Sequence, residues 1–242
     1  MPHIENPNIK QFFPLVTDSL SKGMAALSNG NSSYHASSTE IYAQNIFSRV
    51  YEIDNALKNM SITMEYLRKK NHEDSEYNFS EHHAHHIENL LLRLTSVVDR
   101  SYLLAGSTIL MESSKIENQN GKNKIKKALL KSYPISSAIL EEMNSAVADL
   151  REPRNKVAHQ AGFSNQNLCV LQTIENAKTE SISIKEITDK MSYDNIKEIV
   201  SDESIEQYES VLLAIDKLVT DLINSLSLVY TGLIQSNSPI EN

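Results

Sequence analysis

The chain has 242 residues with 40% hydrophobic and 22% charged side chains, a balance that excludes a disordered or fibrous polypeptide and is long enough to bury a sizeable core. Its formal net charge of -8 argues against broad, non-specific nucleic-acid binding but leaves room for a local cationic site. The lone cysteine, Cys169, excludes an internal disulfide and favours a reducing compartment.

In chain order, the opening MPHIENPNIKQFF lacks a basic n-region and a continuous apolar core, so no secretory signal is expected. Residues 1–38, ending in SNGNSSYHASS at 28–38, read as a loosely ordered arm and linker. Residues 39–236 read as one helical domain and 237–242 as a tail. Prolines stand only at 2, 7, 14, 134, 153 and 239, which leaves two long proline-free spans suited to helices.

Ile46, Val50, Ile53, Leu57, Met60, Met64 and Leu67 alternate spacings of four and three, the stripe of a packed helix. After a polar stretch at 70–80, with Ser80 as expected N-cap, a second stripe runs through Ile87, Leu91, Leu94, Val98 and Tyr102 towards Ile109. At its start EHHAHH offers His82, His83, His85 and His86, with His72, Glu81 and Glu88 near by. The spacing fits no known zinc site, so no metal is expected, although these imidazoles could line an RNA groove or titrate together at mildly acid pH. Asp99 and Arg100 in VVDRSYLL suggest a charge pair beside the stripe, with Arg100 an accessory RNA contact.

The lysine-rich helix expected at 122–132 sets Lys124, Lys127 and Lys131 along one side, opposite Ile125 and Leu129. This is a solvated face or a docking strip for an RNA backbone. A helix at 136–151 ends at Pro153, which opens another. Shorter pieces are expected at 166–178 and 184–200. A third long stripe, Ile205, Tyr208, Leu212, Ile215, Val219, Leu222, Leu226 and Val229, is opened by Ser201 or Ser204. No apolar run approaches the roughly 20 residues of a membrane span, so a soluble cytoplasmic protein is expected. The fold class expected is all-α, an up-and-down helical bundle with additional shorter helices.

The stretch LREPRNKVAHQ at 150–160 carries the densest chemistry. Placed just after Pro153, Arg154, Asn155 and Lys156 are expected in a first helical turn, where free N–H groups favour an anion. Asn155 and His159 share a face. Arg154 lies about 140° from His159 around the helix and must reach the same point with its long stem. An imidazole can move protons near neutral pH, a guanidinium can hold phosphate oxygens, and an amide can orient either. RNA supplies its own 2′-hydroxyl nucleophile, so these residues suit phosphodiester cleavage without metal or cofactor. One histidine cannot be base and acid in a single step, which a two-fold dimer would resolve.

Arg154-Asn155-Lys156-Val157-Ala158-His159 resembles the arginine, polar residue, three residues, histidine pattern of the HEPN superfamily, all-helical proteins that include ribonucleases of toxin–antitoxin and phage-defence systems. The resemblance implies a bundle of HEPN type that dimerises around the motif and cuts RNA to a 2′,3′-cyclic phosphate, with an antitoxin or defence protein as partner. It implies His159 as the proton-transfer residue, Arg154 as the phosphate ligand, Asn155 as polar helper and Lys156 as an RNA contact. Some HEPN toxins carry a tyrosine for nucleotidylation two residues after the histidine; here the position is Ala161. The alternative from a different class is a non-catalytic helical module that dimerises or holds a partner.

Overall fold

The computed structural model describes residues 1–236 apart from Glu73, Gln119, Ala161 and 178–181, and without the side chains of Ile182, Ser183 and Ser236. The tail at 237–242 and the Ala161 position therefore lie outside the described residues. Among the described residues the chain is all-helical, with no strand, and no helix is long and apolar enough to cross a membrane. Its contacts divide it into two units: residues 1–56, 97–145 and 215–242 in the first, 57–96 and 146–214 in the second.

In the first unit the N-terminal residues are ordered helix, not the loose arm their composition suggests. A 3-10 turn at His3–Glu5 leads into α1 (Pro7–Lys10), capped by the Asn6 side chain, and α2 (Phe13–Ser28). Ile9 and Phe12 are fully buried, and Phe12 meets Tyr42 and Tyr230 edge-on at 5.8 and 5.5 Å. The Asp54 carboxylate accepts the backbone N–H groups of His3 and Ile4 at 2.8 and 2.9 Å and the His3 ring at 2.9 Å. Such long-range contacts carry no local sequence signal, which is why a polar, proline-bearing segment misleads.

The longest non-helical stretch of this segment, 29–37, is tied down as well. Ser37 and Glu40 form a capping box at the start of α3 (Ser38–Leu67), each side chain bonding the other's backbone N–H. Glu40 also takes bonds from Lys22 and Tyr34. The Ser37 backbone bond foremost, with those partners, holds its carboxyl well below the usual range.

α4 (Phe79–Thr108) opens on a second capping box, Asn78 with Glu81. Asn78, and not Ser80, is thus the cap; Ser80 is buried with its N–H on Glu175. α5 (Ser113–Ile116) and α6 (Gly121–Ser132) meet at Gly121, where a Cβ would stand 1.9 Å from the Ile116 carbonyl oxygen. α7 (Pro134–Ala146) completes the central part of the unit.

α8 (Arg151–His159), α9 (Gln166–Asn176) and α10 (Ile182–Lys190) belong to the second unit. The last long helix, α11 (Tyr193–Ser225), begins well before Ser201 and Ser204, and Ser192 supplies its cap through the Asn195 N–H; α12 (Ser227–Ser236) comes after it. The apolar stripe misplaced this start because the helix's first two turns bury only Ile196 and Val200 and leave Ile199 exposed. Burial matches the first two stripes closely. Every stripe residue from Ile46 to Leu67 in the first and from Ile87 to Tyr102 in the second is buried. In the third, Tyr208, Ile215, Val219, Leu222 and Leu226 are buried, with Ile205, Leu212 and Val229 half-buried.

Candidate functional site

The LREPRNKVAHQ stretch forms a nine-residue helix whose start differs from expectation. The preceding α7 ends at Ala146, Val147 breaks the run, and a 3-10 turn at Ala148–Leu150 feeds straight into Arg151. Pro153 is thus the third residue of α8, where its missing N–H has no helical acceptor to lose. The first turn consists of Arg151, Glu152 and Pro153, so Arg154, Asn155 and Lys156 stand beyond the free N–H groups. The helix-start anion site expected for them is not formed. Glu152 occupies that end and pairs with Lys156 at 2.9 Å, and the Lys156 bond lowers its carboxyl pKa.

α8 presents two different sides. Glu152, Pro153, Lys156 and Gln160 line a cleft of about 640 Å³, closed by the 162–165 segment, Gln207 and Tyr208. Arg154, Asn155 and His159 point elsewhere on the helix: Asn155 and His159 are exposed and Arg154 is half-buried. The Arg154 guanidinium donates through Nη1 to Asn155 Oδ1 at 3.2 Å, and its buried Nε has no partner among the described residues. Among the described residues no hydrogen bond joins His159 to either. One copy of the chain therefore brings Arg154 and Asn155 together and leaves the imidazole of His159 open to solvent at the end of the helix.

The segment just after the motif is anchored by Glu88 of α4, a residue that the sequence suggests only as a possible metal ligand. Its Oε1 accepts the Phe163 N–H at 2.6 Å, and a Cβ on Gly162 would come within 2.6 Å of the same atom. Asn165 then caps α9 by accepting the Leu168 N–H at 2.7 Å. No sequence signal separates Glu88 from any other mid-helix acid, because its partner lies 75 residues away.

The remaining candidates divide. On α6, Lys124, Lys127 and Lys131 are exposed and no ion pair among the described residues holds them, while Lys122 and Lys126 pair with Asp99 and Glu141. The strip belongs to the first unit and the motif to the second. Asp99 and Arg100 do not pair with each other, since the Arg100 guanidinium donates to the Glu52 carbonyl. Helical neighbours at adjacent positions point about 100° apart, which sends the two charges to different partners.

The histidines of EHHAHH gather with His72. His72 and His82 stack at 3.9 Å between ring centroids, and His86 lies 6.2 and 6.4 Å from them and stacks on Tyr66. His83 is buried and bonds Ser204 at 3.0 Å. Among the described residues no three His, Cys, Asp or Glu side chains are grouped to hold a metal. Compared with known proteins, the chain matches no family model, no curated protein and no solved structure.

Proposed function

We propose that the chain is a metal-independent endoribonuclease of HEPN type, acting in the cytoplasm as a homodimer with an antitoxin or defence-system partner. The observation that carries this reading is the solvent-facing trio on α8. A guanidinium half-buried and linked to an asparagine sits one helical turn from an exposed imidazole, on a side of the helix not taken up by the chain's own cleft. The exposed Lys124, Lys127 and Lys131, with Lys156 and Arg100 as lesser contacts, supply cationic contacts for the RNA backbone.

In the proposed reaction the RNA 2′-hydroxyl attacks the adjacent phosphorus, forming the P–O2′ bond as the P–O5′ bond breaks. His159 accepts the 2′-hydroxyl proton, and His159 of the partner subunit gives a proton to the departing 5′-oxygen. Arg154 stabilises charge on the non-bridging oxygens, and Asn155 orients the guanidinium through the bond already present. The products are a 2′,3′-cyclic phosphate and a 5′-hydroxyl. The test is incubation of the purified chain with total RNA in EDTA, with both termini typed. His159→Ala and Arg154→Ala are expected each to abolish cleavage with helicity and oligomeric state intact. Undiminished cleavage by purified His159→Ala overturns the proposal.

The placement of His159 out of bonding reach of Arg154 within one copy favours a second reading, a helical dimerisation or partner-binding module. A dimer whose assembly needs α8 but which leaves RNA intact supports that module.

A further inference from the structure

Five of the chain's eight histidines lie in one small region of the second unit: His72 on the connection between α3 and α4, and His82, His83, His85 and His86 on the first two turns of α4. The connection is held against α4 largely by these rings. His72 lies flat on His82, with 16° between the planes; the His82 ring bonds Ser75 at 2.7 Å; and Tyr77 meets His82 edge-on. His86 is wedged between Tyr66 and the His72/His82 stack, with its Nε2 buried and without a hydrogen-bond partner among the described residues.

Among the described residues the imidazoles paired with carboxylates are confined to His3. Every charged neighbour of the cluster among the described residues is either cationic or engaged elsewhere. On the connection, Lys69 sits 4.1 Å over the Tyr66 ring of α3; from α11, Lys197 lies over Phe79 and pairs with Asp194. Glu81 is committed to the Asn78 capping box, Glu88 to Phe163, and Glu175 to Ser80 and Tyr193. Asp74 and Glu76 of the connection are exposed, and no ion pair brings them to a ring. Positive charges on rings stacked 3.9 Å apart repel, and a proton on the buried His86 Nε2 finds no acceptor among the described residues.

We infer that the contact of the α3–α4 connection with α4 is an acid-released latch: protonation of His72 and His86 frees His72 and Ser75 from α4 and uncovers Phe79, which seals a small apolar cluster with Leu171, Ile196 and Val200. Burial first, then the neighbouring imidazoles and Lys69, set the direction: His72 is lowered and His86 is lowered to about 4, so released rings bind protons that the closed form refuses. For His86 alone, regaining its ordinary value of 6.5 on opening raises the opening equilibrium roughly thirty-fold between pH 7.5 and pH 5.0.

The experiment is amide hydrogen exchange on the full chain in EDTA at both pH values, corrected for intrinsic rates and read over residues 69–82. The wild type is expected to lose protection there by roughly thirty-fold on acidification. The double variant His72→Phe/His86→Phe, which removes the two rings that bind protons on opening and keeps an aromatic face against His82, is expected to lose less than about a third of that factor. No loss in the wild type, or an equal loss in the double variant, overturns the latch. Should the double variant misfold, histidine proton–carbon NMR of the wild type decides. Midpoints of the His72 and His86 rings below the ordinary value, coincident with the loss of protection, support the latch, and ordinary midpoints overturn it.

Discussion

Glu88→Ala isolates the tether just beyond the motif. Glu88 Oε1 accepts the Phe163 N–H at 2.6 Å. A hydrogen bond to a charged acceptor is worth about 1.5 to 3 kcal/mol, and partial exposure of the carboxylate reduces this to about 1 to 2 kcal/mol. If the bond holds residues 162–165 against α4, its loss raises the exchange rate of the Phe163 amide roughly five- to thirty-fold, with the core of α3 and α4 unaffected. The assay is site-resolved amide exchange on three proteins. Glu88→Gln keeps an acceptor oxygen and is expected to retain most of the protection. Gly162→Ala forces a Cβ to 2.6 Å from Oε1, so the carboxylate must swing away and reproduce the Glu88→Ala signature. Unchanged exchange at Phe163 in Glu88→Ala, or a Glu88→Gln variant as labile as the alanine, refutes the reasoning. Under the proposed ribonuclease activity Glu88 is a positioning residue, so cleavage should fall in Glu88→Ala and recover in Glu88→Gln.

Phe12→Ala removes a fully buried ring packed between two tyrosines and is expected to destabilise the first unit by about 3 to 5 kcal/mol, read as a lowered urea midpoint by tyrosine fluorescence, which the absence of tryptophan makes clean. The His3–Asp54 clip should be strongest between about pH 4 and 6.5. Burial opposes both charges, but the mutual bond, with Asp216 helping His3 and two backbone N–H groups helping Asp54, raises the histidine and lowers the aspartate. The His3 contribution is complete below its ordinary 6.5 and fades as pH rises through its raised folded value, while that of Asp54 is complete above its ordinary 3.8 and fades as pH falls through its lowered one. Exchange of the Ile4 amide should track that profile, and Asp54→Asn should flatten it. Gly121→Ala drives a Cβ into the Ile116 carbonyl and should separate α5 from α6, seen as lost exchange protection in Gly121–Ser132 with the second unit unchanged.

The all-helical class, the three long helices and the faces they bury were legible in the sequence, because spacing of three and four residues is a local property that any packed helix must satisfy. So was the lysine face of α6, where Ile125 and Leu129 point inward and Lys124, Lys127 and Lys131 outward. The capping boxes Ser37–Glu40 and Asn78–Glu81 were equally local and could have been read from their spacing. Tertiary structure alone decided the rest. It docked the first 28 residues through Phe12 and the His3–Asp54 clip, extended α11 back to Tyr193, set Arg154, Asn155 and His159 outside the cleft that Lys156 enters, and stacked His72 on His82. Each of these depends on groups distant in sequence meeting in space, and a chain's local pattern records which residues want burial or a partner without naming the partner they find.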